Sequence, residues 1–150
     1  MTRITRRDVR QPRHWLVVVS KDHLETGKQL GIVQANRGKA APMKRMQPGD
    51  WIVFYSPKHH FQGTDPLKKF TALARVKDGD VYQGEMGGGF RPYRRDVEFL
   101  SCAETEIQPL IEKLTFIRNK QSWGFVFRFG FFEIPKVDFQ TIAKKMKMMV

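Results

Sequence analysis

The 150-residue chain has one cysteine, Cys102, so it can form neither an intramolecular disulfide nor a thiolate metal cage. Acidic side chains are also scarce: fifteen Asp plus Glu face twenty-seven Lys plus Arg, a net charge of +12. No apolar run reaches the ~18 residues of a membrane-spanning helix. Near the start, Arg3, Arg6, Arg7, Asp8, Arg10 and Arg13 interrupt every apolar stretch, unlike a signal peptide. The expected compartment is the reducing cytoplasm. Of the four histidines, His59 and His60 are adjacent in a predicted loop with no third ligand at metal-site spacing, so no metal is expected. The carboxylates are scattered among Lys and Arg, without the pairing that general acid–base work needs. Gly87-Gly88-Gly89 is followed by neither the lysine–hydroxyl pair nor the helix of a phosphate-binding loop. No catalytic residue and no cofactor are assigned.

Positive charge and aromatic rings are abundant. With a pI near 10.1, the chain has a field that attracts polyanions and releases counterions on docking to phosphates. No long basic amphipathic helix carries that charge, which points to nucleic acid rather than a membrane surface. Residues 1–13 form a basic arm, in which Arg6, Arg7 and Arg10 are expected either to track a phosphate backbone or to be solvated. Residues 14–150 are read as a single domain, a length that supports one core.

Trp15 to Val19 is a continuous, β-branched apolar run, as in a central strand covered on both faces, and Ser20 is placed to cap a short helix reaching about Leu30. Pro42 opens a short basic helix through Met46, and Gln47-Pro48-Gly49-Asp50 is a turn leading into a strand from Trp51 to Tyr55. Phe70 to Val76 is a third predicted strand, with Asp78-Gly79-Asp80 turning it into a hairpin return at Val81-Tyr82-Gln83. Phe90 to Leu100 is strand-like, with Pro92 marking an edge. Ile107, Leu110, Ile111 and Leu114 recur at helical spacing. The aromatic stretch Trp123 to Gly130 is predicted as a strand continuing through Phe131 to Ile134, and Asp138 as the cap of a final helix. The expectation is an α+β domain: a curved sheet or barrel of roughly five or six strands flanked by short helices.

The stretch Gly31–Pro57 concentrates the groups a nucleobase site needs: a basic glycine loop, a tight turn, and a strand ending in Tyr55 and Ser56. If the first two strands are neighbours, Ser20 and Tyr55-Ser56 end side by side and the loop with Gln34, Asn36 and Lys39 closes over them. Aromatic faces and polar groups of this kind bind an unstacked base. Trp15 and Trp51 are assigned to the core, whereas Tyr55 and Trp123 suit either a pocket wall or the core rim. Arg37, Lys44, Arg45, Arg91, Arg94 and Arg95 are candidate phosphate contacts.

The same residues carry a family likeness. Gln34, Gly38-Lys39, Ala41-Pro42, Arg45-Met46, Pro48-Gly49-Asp50 and Tyr55-Ser56-Pro57 closely resemble EVE-domain proteins. The likeness continues through Trp15-Leu16, Ser20, His23, Phe70-Thr71-Ala72, Pro92, Arg94-Arg95, Pro109-Leu110, Leu114, Phe116-Ile117, Trp123-Gly124, Arg128, Gly130 and Asp138-Phe139. The resemblance implies a PUA-like curved barrel related to YTH readers of methylated adenine, and a non-enzymatic module binding a modified base in DNA or RNA. It places Ser20, Gln34, Lys39, Tyr55, Ser56, Trp123 and Arg128 around the pocket. Arg37 stands where the family pattern has histidine, and Phe54 where tyrosine is common. The alternatives are an enzyme acting on RNA or a nucleotide, with Lys39 and Ser56 stabilising an anion, and a small-molecule or anion-binding module.

Overall fold

A computed structural model describes residues 11–148 of the chain. Its framework is an eight-stranded mixed sheet of order β2-β6-β4-β3-β1-β8, in which β5 pairs with β6 and β7 with β4. The strands are β1 His14–Val18, β2 Ile32–Val33, β3 Trp51–Lys58, β4 Pro66–Val76, β5 Tyr82–Gln83, β6 Tyr93–Phe99, β7 Thr105–Glu106 and β8 Phe131–Ile134. The helices are α1 Lys21–Leu30, α2 Ala40–Arg45 and α3 Lys136–Lys145, with 3-10 segments at Asn36–Gly38, Gln108–Lys113 and Trp123–Phe129. This is the α+β architecture expected from the sequence, a mixed sheet flanked by short helices.

β1 lies inside the sheet, flanked by the edge strand β8 and by β3, to which it runs parallel from His14 opposite Trp51 to Val18 opposite Tyr55. Its unbroken apolar run follows from burial on both faces. Leu16 packs with Val53, Phe70, Leu73 and the α3 residues Phe139 and Ile142 on one side. Trp15 and Val17 pack with Leu24, Met43, Met46 and Ile52 on the other. A side-chain period of two therefore sends alternate residues into two cores.

The turn before β3 is held by one buried carboxylate. Asp50 accepts hydrogen bonds from the backbone N–H of Arg13 at 3.0 Å and of Gln47 at 2.9 Å, and from Trp15 Nε1 at 2.9 Å. The backbone N–H of Trp51 also donates to the carbonyl of Arg13, so the domain already includes this last residue of the expected arm. Arg6, Arg7 and Arg10 lie outside the described residues.

Four local expectations are corrected. The strand after Asp80 does not return along β4: Tyr82 and Gln83 pair with Arg94 and Tyr93 of β6. The reason is that β3 and β6 already occupy the two edges of β4. Trp123–Phe129 is a 3-10 segment rather than a strand, because β8 takes the free edge of β1 and only Phe127 of the segment's aromatics is buried. Ile107, Leu110, Ile111 and Leu114 do face the core, but through a 3-10 segment, whose i, i+3 repeat the same spacing satisfies. Asp138 lies inside α3, which starts at Lys136 after Pro135. Its carboxylate instead accepts bonds from the N–H of Thr115 at 3.0 Å, the Thr115 hydroxyl at 2.8 Å and the N–H of Phe116 at 2.9 Å.

Candidate nucleic-acid interface

The loop singled out in the sequence forms a sharp turn with three consecutive left-handed residues, Asn36, Arg37 and Gly38, at φ of 49°, 61° and 80°. Positive φ at two side-chain-bearing residues is uncommon and persists only where surrounding contacts enforce it. Two glycines provide that enforcement. A Cβ on Gly38 would lie 2.4 Å from Cβ of Pro92, so the turn rests directly on the loop preceding β6. A Cβ on Gly130 would lie 2.3 Å from Oδ1 of Asn36, so the turn's other flank abuts the end of the 3-10 segment. At Gly38 a larger residue would push against the Pro92 backbone and displace the turn, whereas at Gly130 it would strain a left-handed φ of 74° and displace the Asn36 amide.

Each flank presents aromatic surface next to cationic groups. On one side Phe90 is exposed and followed by Arg91, whose Nε lies 3.5 Å from Glu85. On the other, Phe125 and Phe129 are 59% and 61% exposed and meet edge to face at 6.2 Å. The Arg128 guanidinium stands over the Phe125 ring at 5.6 Å. The Arg45 guanidinium covers the stacked rings of Trp15 and Phe131, at 5.0 and 5.5 Å. Arg37, Lys39 and Lys44 are exposed, and among the described residues no carboxylate pairs with them or with Arg128. Exposed rings interleaved with unpaired cations suit single-stranded nucleic acid, whose bases stack while its phosphates are neutralised.

The structure divides the expected site residues. Asn36, Arg37 and Lys39 lie in or beside the turn, Arg91 adjoins the Pro92 that packs on it, Arg128 stands two residues before the Gly130 that meets Asn36, and Arg45, next to Lys44 in α2, covers Phe131 beside that glycine. Gln34 lies just before the turn, with its amide directed at Arg94. β1 and β3 are neighbours, as the shared-hollow argument required, but the hydroxyls at their ends are turned inward. Ser20 is buried and donates to Asp22 Oδ1 at 2.6 Å. Ser56 is fully buried and shares a 2.8 Å hydrogen bond with the Thr71 hydroxyl. Tyr55 is 2% exposed, stacked on Phe127 at 4.3 Å and edge-on to Phe70 at 5.5 Å; burial pushes its phenol well above the usual tyrosine range. Tyr55 and Ser56 are therefore core residues, not walls of an open pocket. Trp123 is half-buried against Phe127, with the Lys68 ammonium 6.0 Å from its ring, at a distance along the segment from Arg128.

Arg94 and Arg95 also depart from a backbone-tracking role, because both side chains are buried although they are consecutive on β6. Arg95 donates to the carbonyls of Met46 at 3.1 Å and Gly79 at 2.7 Å. Arg94 Nε donates to Gln34 Oε1 at 2.9 Å. The sequence reading missed Phe90, Phe125 and Phe129 as exposed groups. The signal was available: Phe125, Phe127 and Phe129 crowd one short stretch between Gly124 and Gly130, more ring than a single edge strand can bury.

Among the described residues no group of three or more His, Cys, Asp or Glu is placed to hold a metal ion, and the His59 and His60 rings are 6.4 Å apart. No helix among them is long and apolar enough to cross a membrane. Burial raises the Cys102 thiol above its ordinary value, in keeping with a packing role. A shallow hollow lined by Phe139, Gln140, Ala143, Lys144 and Met148 lies on α3, beside the His14 end of β1 and away from Ser20.

With this geometry in place, comparison with protein families matches residues 13–145 to the EVE domain. The chain belongs to the EVE-domain family. It is 50% identical over 127 residues to the UPF0310 protein in the gntR 5' region of Bacillus licheniformis, covering 85% of this chain and 86% of that one. It is 47% identical over 135 residues to the UPF0310 protein msl3206 of Mesorhizobium japonicum, covering 89% and 91%. Among solved structures, this EVE domain superposes on the YTH domain of the Zygosaccharomyces rouxii MRB1 protein in complex with N6-methyladenosine RNA. That match has a TM-score of 0.61 at 15% identity and covers 91% of this chain and 87% of that one. The Pho92 YTH domain in complex with m6A gives a TM-score of 0.57 at 14% identity, covering 100% and 90%. At such identities the likeness establishes the shared fold.

Proposed function

We propose that this EVE domain is a non-catalytic nucleic-acid-binding module that accepts a modified base beside the Asn36–Lys39 turn while surrounding cations hold the backbone. The observation that carries the reading is the turn itself. Three successive left-handed residues are pinned between two loops, and each loop ends in exposed aromatic surface beside an arginine. Asn36, Gln34 and Lys39 supply polar groups for a base edge, Phe90, Phe125 and Phe129 supply stacking faces, and Arg37, Lys44, Arg45, Arg91 and Arg128 supply phosphate contacts. The fold shared with YTH domains solved with N6-methyladenosine ligands supports a base-reading role, which fold likeness alone does not establish. Ser20, Tyr55 and Ser56 act from beneath this surface by fixing the strand ends, and Trp123 stands farther along its rim.

The test is direct binding of matched DNA and RNA oligonucleotides, unmodified or carrying methylated or hydroxymethylated cytosine or methylated adenine, at two salt concentrations. A preference for one modification that survives the higher salt is the expected result. Uniform binding that collapses with salt would reduce the protein to a basic surface. Competition by free nucleoside without any oligonucleotide affinity would favour a small-molecule module instead.

A further inference from the structure

The loop joining β3 to β4 is fastened to the start of α1 by one carboxylate. Asp22 accepts from the backbone N–H of Phe61 at 3.2 and 3.3 Å, shared between its two oxygens. It also accepts from the N–H of His23 at 2.8 Å and from the Ser20 hydroxyl at 2.6 Å. Its own N–H donates to the carbonyl of His59 at 3.0 Å, which closes the tie from the other side. Two side chains are thereby brought face to face: His23 and Phe61 stack at 4.8 Å with their rings 21° apart. The Lys58 ammonium donates to the Phe61 carbonyl at 2.7 Å and lies 5.5 Å from the same ring.

This stack belongs to neither core. Phe61 is 50% exposed, and His23 is exposed beside it. Among the described residues no carboxylate pairs with Lys58. A flat stack fixed in solvent with an uncompensated ammonium against it has the elements of a nucleotide subsite. A base extends the stack, and the ammonium, with two donors left, takes the adjoining phosphate.

The stack and the Asn36–Lys39 turn are within reach of one strand. Gly130, which meets Asn36, accepts from the N–H of Val18 at the end of β1. His23 follows Val18 by five residues, a span of at most about 18 Å. A stacked strand rising about 3.4 Å per nucleotide covers that in about five nucleotides, and an unstacked one in fewer.

We infer that His23, Phe61 and Lys58 form a second stacking subsite, which takes a flanking base and phosphate of the single strand whose modified base lies at the turn. The inference rests on the nucleic-acid reading above and extends it from one base to several nucleotides. The flanking base is held by its face, which every base has, so this subsite adds affinity without sequence preference.

The probes are oligoadenylates of nine and of two nucleotides, as DNA and as RNA, with affinity read by competition anisotropy at several salt concentrations. The nonamer reaches both places. Phe61→Ala should weaken it about 5- to 150-fold, as Phe125→Ala does, while Phe61→Tyr, which keeps a stacking face, should bind within twofold of the unaltered protein. Lys58→Ala should reduce the salt slope of the nonamer by about 0.7. The dinucleotide spans one place at a time, so no more than one of Phe61→Ala and Phe125→Ala should weaken it. Nonamer affinity that falls in Phe125→Ala but not in Phe61→Ala overturns the subsite and leaves the turn standing. A dinucleotide weakened by both variants means a single aromatic site, which overturns it too. So does a Phe61→Tyr variant as weak as Phe61→Ala, which would make Phe61 a structural residue of the loop, or an unchanged slope in Lys58→Ala. Absence of salt-sensitive binding to every probe would remove the nucleic-acid reading itself, and this subsite with it.

Discussion

Phe125 and Phe129 offer the cleanest separation of binding from folding. Both rings are more than half exposed, and their closest ring contact is with each other, at 6.2 Å edge to face. Replacing either with alanine removes little buried area, and surface changes of this kind stay within about 0.5 kcal/mol of stability. For a domain of this size that is a melting shift of no more than about 2 °C. A base stacked on an aromatic face contributes about 1–3 kcal/mol, equivalent to a roughly 5- to 150-fold rise in Kd when the ring is lost. Fluorescence anisotropy with a labelled single-stranded oligonucleotide at several salt concentrations reads both affinity and its salt slope. Phe125→Ala and Phe129→Ala should each weaken binding within that range without altering the slope, because no charge is removed. Arg128→Ala should instead reduce the magnitude of the slope by about 0.7, the value of one phosphate contact on a single strand. If both phenylalanine variants keep the melting temperature and bind within twofold of the unaltered protein, the rings are not a stacking platform.

Asp50→Ala strands the N–H groups of Arg13, Gln47 and Trp15, at a cost of roughly 1–3 kcal/mol for each donor left buried. Thermal unfolding followed by circular dichroism should fall by about 10 °C or more, and a drop under 2 °C would contradict the hydrogen-bond account. Tyr55→Phe should leave both melting and base preference close to unaltered, whereas Tyr55→Ala opens a core cavity costing about 3–5 kcal/mol. Loss of base preference in a stable Tyr55→Phe variant would restore the phenol to the site. His14 is held below its ordinary pKa of 6.5 by burial and then by Lys136, with Asp50 and Glu133 opposing. The unfolded chain therefore binds the proton more readily, so stability is full above that value and is lost as pH falls below it. Denaturant midpoints measured at about pH 7.5 and about pH 5.5 should decline less in His14→Gln, and an equal decline would exclude His14 as a contributor.

Strong local patterns carried much of the fold into the sequence. The unbroken run Trp15–Val19 marked the central strand because only burial on both faces tolerates it. The turn Gln47–Asp50 was legible because proline, glycine and aspartate each restrict the backbone locally. The excess of Lys plus Arg over Asp plus Glu was legible as a field that attracts polyanions, because charge requires no fold to exert its field. Gly38 and Lys39 were recognisable as a loop by the same local rules.

Other features were decided by competition between distant segments. Trp123–Phe129 has strand-like residues, but β8 holds the only edge of β1 it could join, so the segment coils and exposes Phe125 and Phe129. Tyr82 and Gln83 could have returned along β4, yet β3 and β6 had taken both edges. The fate of Tyr55 and Ser56 turned on which core each faces, and that of Arg94 and Arg95 on what covers β6. The sequence thus determined the local strands, turns and net charge, which depend on neighbours along the chain. Only tertiary structure decided which aromatics reach solvent and which polar groups find partners, because burial and pairing depend on residues brought together from across the fold.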